Sequence, residues 1–161
     1  MSHPISVVLA AIVQEGNLII IKRREGSLAG FYGLPGGKIE HHEHLQEAII
    51  REVKEETNID AKFEELISVI SEVVISGEER KHFLLHLCRL KPLTRSLGGE
   101  ELASWVPLSD IGSLPIIPSD LRMITDIIQA KRRGYYDCVM RKNEEGVVLE
   151  KFLLVHPFNK A

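Results

Sequence analysis

Cysteine is scarce in this chain: only Cys88 and Cys138 occur among 161 residues, each within an apolar strand-like run and without CxxC spacing. Two buried, reduced thiols are expected rather than a bridge, and neither resembles a nucleophile. Long apolar runs are missing too. The longest near the start, residues 7–13, is broken at once by Gln14-Glu15-Gly16-Asn17, whereas a membrane helix needs about 20 such residues. Met1-Ser2-His3-Pro4 carries no basic residue ahead of that run, so a secretory leader is not expected and a cytoplasmic location is. Nor is there an excess of either charge. Twenty basic against 23 acidic side chains leave a net charge of -3, without the positive field that gathers nucleic acid or anionic membrane. Glycine (12) and proline (7) are ordinary, which excludes collagen-like or disordered chains. What is present, 44% hydrophobic and 27% charged residues, describes one globular domain spanning residues 1–161.

Residues 5–13 and 17–22 are rich in Val, Ile and Ala around the turn at Gln14-Glu15-Gly16-Asn17 and predict an opening β-hairpin. Glycines 26, 30, 33, 36 and 37, with Pro35, make residues 23–37 a loop. Leu45, Ala48, Ile49 and Val53 then follow helical spacing over residues 44–57, with Asn58 placed as a left-handed cap. Two further runs, 63–75 and 81–90, predict a hairpin about the polar turn 76–80. A Gly98-Gly99-Glu100-Glu101 loop leads to a short segment at Trp105 and Val106, and Pro107-Leu108-Ser109-Asp110 enters a brief helical piece. Ser119 or Asp120 is expected to cap a last helix over residues 121–133, and residues 135–141 and 147–155 predict a terminal hairpin. Strands and hairpins with interspersed helices argue α+β or a mixed α/β sandwich.

The chemistry concentrates on one helix. Glu52, Glu55 and Glu56 stand at i, i+3 and i+4, so their carboxylates share a side and repel one another. Carboxylate clusters suit hard divalent cations, and Mg²⁺ prefers a few carboxylates together with substrate phosphates. Behind Gly36 and Gly37, such a helix predicts cation-assisted attack of water on a phosphoanhydride. An EE-rich helix alone reads more simply as a solvated face, but the surrounding spacing is specific. Gly37 is followed after five residues by Glu43, after seven more by Arg51-Glu52, then Val53, Lys54, Glu55-Glu56, Thr57, Asn58 and Ile59.

This stretch, residues 37–59, resembles the signature of the Nudix (MutT-type) hydrolases, Gx5Ex7REUxEExGU with U an aliphatic residue; the one departure is Asn58 in place of the last glycine. The likeness extends over most of residues 5–133, including Leu34-Pro35-Gly36-Gly37 and Trp105-Val106-Pro107-Leu108, and leaves the extension 135–161 unexplained. It implies an α/β/α sandwich with a mixed sheet, to which the C-terminal β-hairpin is added. It also implies that Glu52, Glu55 and Glu56 bind Mg²⁺ or Mn²⁺, with a carbonyl at Gly37 or its neighbour as a further ligand. Glu43 and Arg51 look like the pair tying loop to helix, Arg51 also orienting a catalytic glutamate. The general base varies in the family; Glu55 or a later acid, Glu100 or Glu101, fills the role here. Nucleoside triphosphates, giving monophosphate and pyrophosphate, are the favoured substrate class. ADP-ribose or a nucleotide sugar comes second, since the proline of the usual ADP-ribose subfamily is missing near Val74.

Other residues divide between functional and structural readings. Arg23 and Arg24, at the end of a strand beside the glycine loop, are candidates for substrate phosphates, as is Lys38; a solvated strand end explains the arginines equally. Phe31 and Tyr32 suit stacking on a base but also ordinary packing. His41, His42 and His44 lack support as a transition-metal site. A non-catalytic nucleotide-binding module is the rival of a different class, and retention of all three helix glutamates favours the enzyme. A homodimer through the first or last hairpin stays open.

Overall fold

In a computed structural model, residues 3–158 are described. The chain runs through β1 (Ile5–Ala11), β2 (Val13–Gln14), β3 (Asn17–Lys22), β4 (Tyr32–Gly33), β5 (Gly36–Lys38), α1 (Leu45–Thr57), β6 (Ala61–Ser76), β7 (Glu79–Pro92) and β8 (Leu102–Pro107). A 3₁₀ turn at Leu108–Ser113 leads to α2 (Pro118–Arg122), a π-helical continuation Met123–Gln129, β9 (Gly134–Asn143) and β10 (Gly146–Pro157). A six-stranded sheet has the order β10-β9-β6-β7-β1-β5, and β2, β3, β4 and β8 form a four-stranded one. The larger sheet is mixed: β1 lies parallel to β7 and β6 parallel to β9, while β6 and β7 are an antiparallel hairpin.

Apolar residues fill both sides of the central strands. Val8 and Ala10 of β1 pack with Ala48, Ile49 and Val53 of α1, whereas Leu9 and Ala11 join the second core with Met123, Ile124 and Ile127. Burial on both faces explains why β1 shows no alternation. Helices on opposite faces make the mixed α/β sandwich expected. Among the described residues, no helix is long and apolar enough to cross a membrane.

Three local expectations are corrected. The opening hairpin is not one pair of long strands. Beyond β1 the chain leaves the six-stranded sheet at fully buried Ile12, and only Val13 and Gln14 pair back with Leu18 and Asn17. The last helix starts earlier, with Pro118 in its first turn and no side-chain cap at Ile117. Ser119 and Asp120, read as caps, are instead buried at 1% and 7% exposure. The helix also ends at Gln129 rather than near residue 133, and Lys131 takes a left-handed φ of 59°. Finally, residues 23–37 are not loop throughout, since Tyr32–Gly33 pairs with β3 and Gly36–Lys38 with β1. The terminal hairpin forms as expected, and β9 pairs with β6 from Ser68↔Gly134 to Ser76↔Lys142 and widens the main sheet. Cys88 and Cys138 are buried and free.

Candidate active site

Helix α1 begins where the backbone N–H of His44 donates to Glu47 Oε1 at 2.9 Å and closes at Asn58, whose φ is 67° and whose N–H reaches the Lys54 carbonyl. Asparagine tolerates that left-handed conformation, so the departure from the glycine-ended pattern is absorbed locally. Its polar face meets β5. At Gly36 a Cβ would lie 1.9 Å from the Val8 carbonyl oxygen, and at Gly37 one would lie 2.6 Å from the Glu52 carboxyl. Absence of side chains at both positions lets the strand press against β1 and the acidic helix together. The Gly36 N–H then donates to Glu56 Oε1 at 2.7 Å.

Arg51 organises the other acids. Its Nε donates to Glu43 Oε2 at 2.6 Å and Nη2 to Glu43 Oε1 at 2.9 Å, while Nη1 reaches Glu52 at 2.9 Å and Glu55 at 3.3 Å. Nη2 also donates to the Lys38 carbonyl. The fork holds Glu43 down at about 2, chiefly by hydrogen bonding and with help from the Glu40 N–H. Glu52 moves the other way because burial outweighs the guanidinium. Glu56 is pushed up to about 8 by burial first, with the charges of Glu52 and Glu101 adding to it against the Gly36 N–H.

The loop after β7 is stitched to the end of α1. N–H groups of Gly98, Glu100 and Glu101 donate to the carbonyls of Thr57, Glu55 and Glu56 at 3.0, 2.8 and 3.3 Å. Gly99 makes this approach possible: its φ is 90° and a Cβ would stand 2.6 Å from the Glu55 carbonyl. Glu101 Oε2 is thereby buried without a hydrogen-bond partner among the described residues. An orphaned carboxylate oxygen costs free energy, and beside two acids of raised pKa it calls for a partner from outside the chain. All-oxygen donors of this kind fit Mg²⁺. Among the described residues, no three His, Cys, Asp or Glu side chains converge closely enough to hold a metal ion by themselves.

A cavity of about 380 Å³ opens beside the glycine strand, bounded by Arg23, Gly36, Gly37, Lys38, Glu72 and Asp120. Burial, with Asp120 nearby, pushes Glu72 up to about 7; burial pushes Asp120 up to about 6 against the Leu34 N–H that donates to it at 2.9 Å. The Ser119 hydroxyl lends both acids a favourable dipole, yet no hydrogen bond of good geometry reaches its oxygen. A larger groove of about 670 Å³, with Gln14, Arg89 and Arg133 in its wall, lies away from the glycine strand; Glu52, Glu55 and Glu56 line neither space, and only the smaller one includes Gly36 and Gly37.

Of the residues singled out by sequence, Arg23 and Lys38 reach this cavity, whereas Arg24 is exposed and outside its wall. Phe31 is half-buried against the main core. Among the described residues, His41 and His42 touch only each other's rings in a tilted pair, centroids 3.9 Å apart and planes at 48°. Sequence reasoning misses Glu72 and reads Asp120 only as a helix cap. For Glu72 a signal existed, since it stands between Ile70 and Val74 at the inward positions of β6, both buried.

The NUDIX domain model matches residues 2–127. An ADP-ribose pyrophosphatase of Methanocaldococcus jannaschii is 30% identical over 118 residues, covering 73% of this chain and 69% of that protein. Nudix hydrolase 2 of Arabidopsis thaliana is 27% identical over 149 residues, and the chain spans about half its length, 51%. A MutT NUDIX hydrolase structure from Burkholderia pseudomallei aligns with a TM-score of 0.62 at 25% identity, covering 78% of this chain and 99% of that one. A MutT protein structure from Bacillus halodurans, 19% identical, aligns with a TM-score of 0.70 over 94% and 97% of the two chains and speaks for the fold alone.

Proposed function

The chain belongs to the NUDIX family, and from that premise we propose that it hydrolyses a phosphoanhydride in a nucleoside diphosphate linked to a further group. Mg²⁺ is the cation of this reading, with Mn²⁺ as a substitute. The observation that carries it is the contact of Gly36 N–H with Glu56 at 2.7 Å, which brings the glycine strand, the acidic helix and the mouth of the cavity to one place. Glu52, Glu55 and Glu56, with the carbonyl at Gly37 or its neighbour, would hold the cation. Bound there, it would lower the pKa of water and stabilise charge on phosphate oxygens.

The protein's own groups have separate tasks. Arg51 fixes the directions of Glu52 and Glu55 while Glu43 anchors Arg51. Two acids compete for general base. Glu55 is engaged by Arg51, whereas Glu101 Oε2 has no hydrogen-bond partner among the described residues; that freedom favours Glu101 as the proton acceptor from attacking water. Arg23 and Lys38, at the cavity edge, meet substrate phosphates. Glu72, Asp120 and Ser119 offer mixed donors and acceptors to the nucleoside or its leaving group.

A nucleoside triphosphate, cleaved to monophosphate and pyrophosphate, is the first substrate reading. ADP-ribose is the second, supported by the Methanocaldococcus relative that carries that activity in its name. A panel of triphosphates, nucleotide sugars, ADP-ribose and dinucleoside polyphosphates with Mg²⁺ tests both, read as released phosphate-containing product. Nucleotide binding with no turnover across the panel would move the protein to the class of regulatory binding modules.

A further inference from the structure

We propose that two copies of this chain associate through β10, joining their six-stranded sheets edge to edge about a two-fold axis that passes between Glu150 and Lys151. Among the described residues, strand β10 ends the sheet, with β9 on one side and no strand on the other. Over twelve residues it presents unpaired backbone groups, and its outer face carries Val148, Leu153 and Val155 at 57%, 52% and 48% exposure. An edge of that length and apolarity is a template for strand pairing.

The choice of a second copy as occupant rests on the symmetry of the strand itself. Antiparallel neighbours place directly opposed side chains on the same face. A regular strand alternates faces with period two, so a two-fold pairing of identical strands must oppose some residue to its own copy, and a charged centre then repels itself. Strand β10 escapes this through the first of its two bulges, between Leu149 and Lys151; the second, between Leu154 and His156, lies beyond the central residues 147–154. Glu150 bonds Arg141 at 2.8 Å and Lys151 approaches Asp137 at 3.8 Å. Arg141 and Asp137 lie on the outer face of β9, where Tyr136, Cys138 and Met140 point inward. The consecutive residues Glu150 and Lys151 therefore share one face, and burial along residues 147–154 reads the same in both directions.

With the axis between them, Glu150 faces the second copy's Lys151, Val148 faces Leu153, and Gly146 faces Val155. Inward-facing Leu149 and Phe152 oppose each other, as do Val147 and Leu154. Every opposed pair is opposite in charge, apolar, or a glycine that leaves room. Lysine and bulges commonly guard edges against pairing, but here the lysine has an acid of the partner copy in front of it and the bulge supplies the register.

The oligomeric state of the full chain tests the arrangement, measured by light scattering and sedimentation at about 10 to 100 µM. Twice the chain mass is expected, with V148K/L153K, both at exposed sites, monomeric and unchanged in circular dichroism. Register is read by disulfide trapping. Positions 148 and 153 lie about 16 Å apart along one strand, too far for an internal bridge, so V148C/L153C should cross-link only between copies and V148C/V155C should not. The native thiols are buried and leave the readout clean. A monomeric wild type, a dimer indifferent to V148K/L153K, or equal cross-linking of the two cysteine pairs would overturn the proposal.

Discussion

Arg51 clasps Glu43 across eight residues of chain, Nε to Oε2 at 2.6 Å and Nη2 to Oε1 at 2.9 Å, and so joins the loop ahead of α1 to the helix's acidic face. A planar fork makes two parallel bonds that an ammonium cannot reproduce. Arg51→Lys is therefore expected to keep the fold and lower kcat by about 10²-fold, the scale of a misplaced catalytic group, with a smaller change in KM. Steady-state kinetics with circular dichroism decide it; near-wild-type kcat would show that the clasp is dispensable.

Glu56 holds its proton up to about 8 in the metal-free protein. At pH 7 it is mostly neutral, so Glu56→Gln exchanges one neutral acceptor for another beside Gly36. Folding stability without metal should shift by less than about 1 kcal/mol, the range of a retained hydrogen bond. Activity should fall at least about 10²-fold. Wild type should also gain melting temperature on adding Mg²⁺, because a ligand of the native state alone stabilises it, and the variant should not. An equal Mg²⁺-induced rise in both proteins would remove Glu56 from the cation site.

Neighbouring glycines should behave differently under the same substitution. An added methyl at Gly36 strikes backbone, the Val8 carbonyl oxygen at 1.9 Å, whereas at Gly37 it strikes the end of the Glu52 side chain. Gly36→Ala should lose at least about 2 kcal/mol of stability by overpacking, read by urea denaturation. Gly37→Ala should fold and lose activity as Glu52 swings aside. Equal stability losses would contradict the difference in what each methyl meets.

Buried acids in the cavity give stability a definite pH slope. Glu72 and Asp120 have folded pKa values raised to about 7 and about 6, above their ordinary carboxylate values. Below about pH 4 folded and unfolded chains are both protonated and these groups contribute nothing. Between about 4 and 7 the unfolded chain releases protons that the folded one keeps, so their contribution falls as pH rises, by a few kcal/mol at most. Glu72→Gln should accordingly raise the melting temperature more at pH 8 than at pH 5. A pH-independent difference would mean that Glu72 ionises as readily folded as unfolded.

Sequence reasoning reached the acidic helix because its features are local: apolar residues at helical spacing, the acids spaced behind Gly37 within 23 residues, and a left-handed asparagine behind them. What it missed depends on partners far along the chain. Asp120 resembles a helix cap until Leu34, 86 residues earlier, is seen to donate its N–H to it. The apolar run of residues 5–13 hides the change of sheet at Ile12, because a strand covered on both faces loses the alternation that would mark its end. The terminal hairpin was legible as two strands, but its parallel union with β6 was not, since no local pattern encodes which distant edge a strand will join.

Surface loops ordinarily tolerate insertions, yet residues 98–101 are bound to carry a fixed length. Three of their N–H groups serve the carbonyls of Glu55, Glu56 and Thr57, so one added residue would at once uncover the end of α1 and carry Glu101 away from Glu56. The spacing between these acids is thus a backbone dimension, copied from the rise of the helix, and side-chain repacking alone cannot restore it.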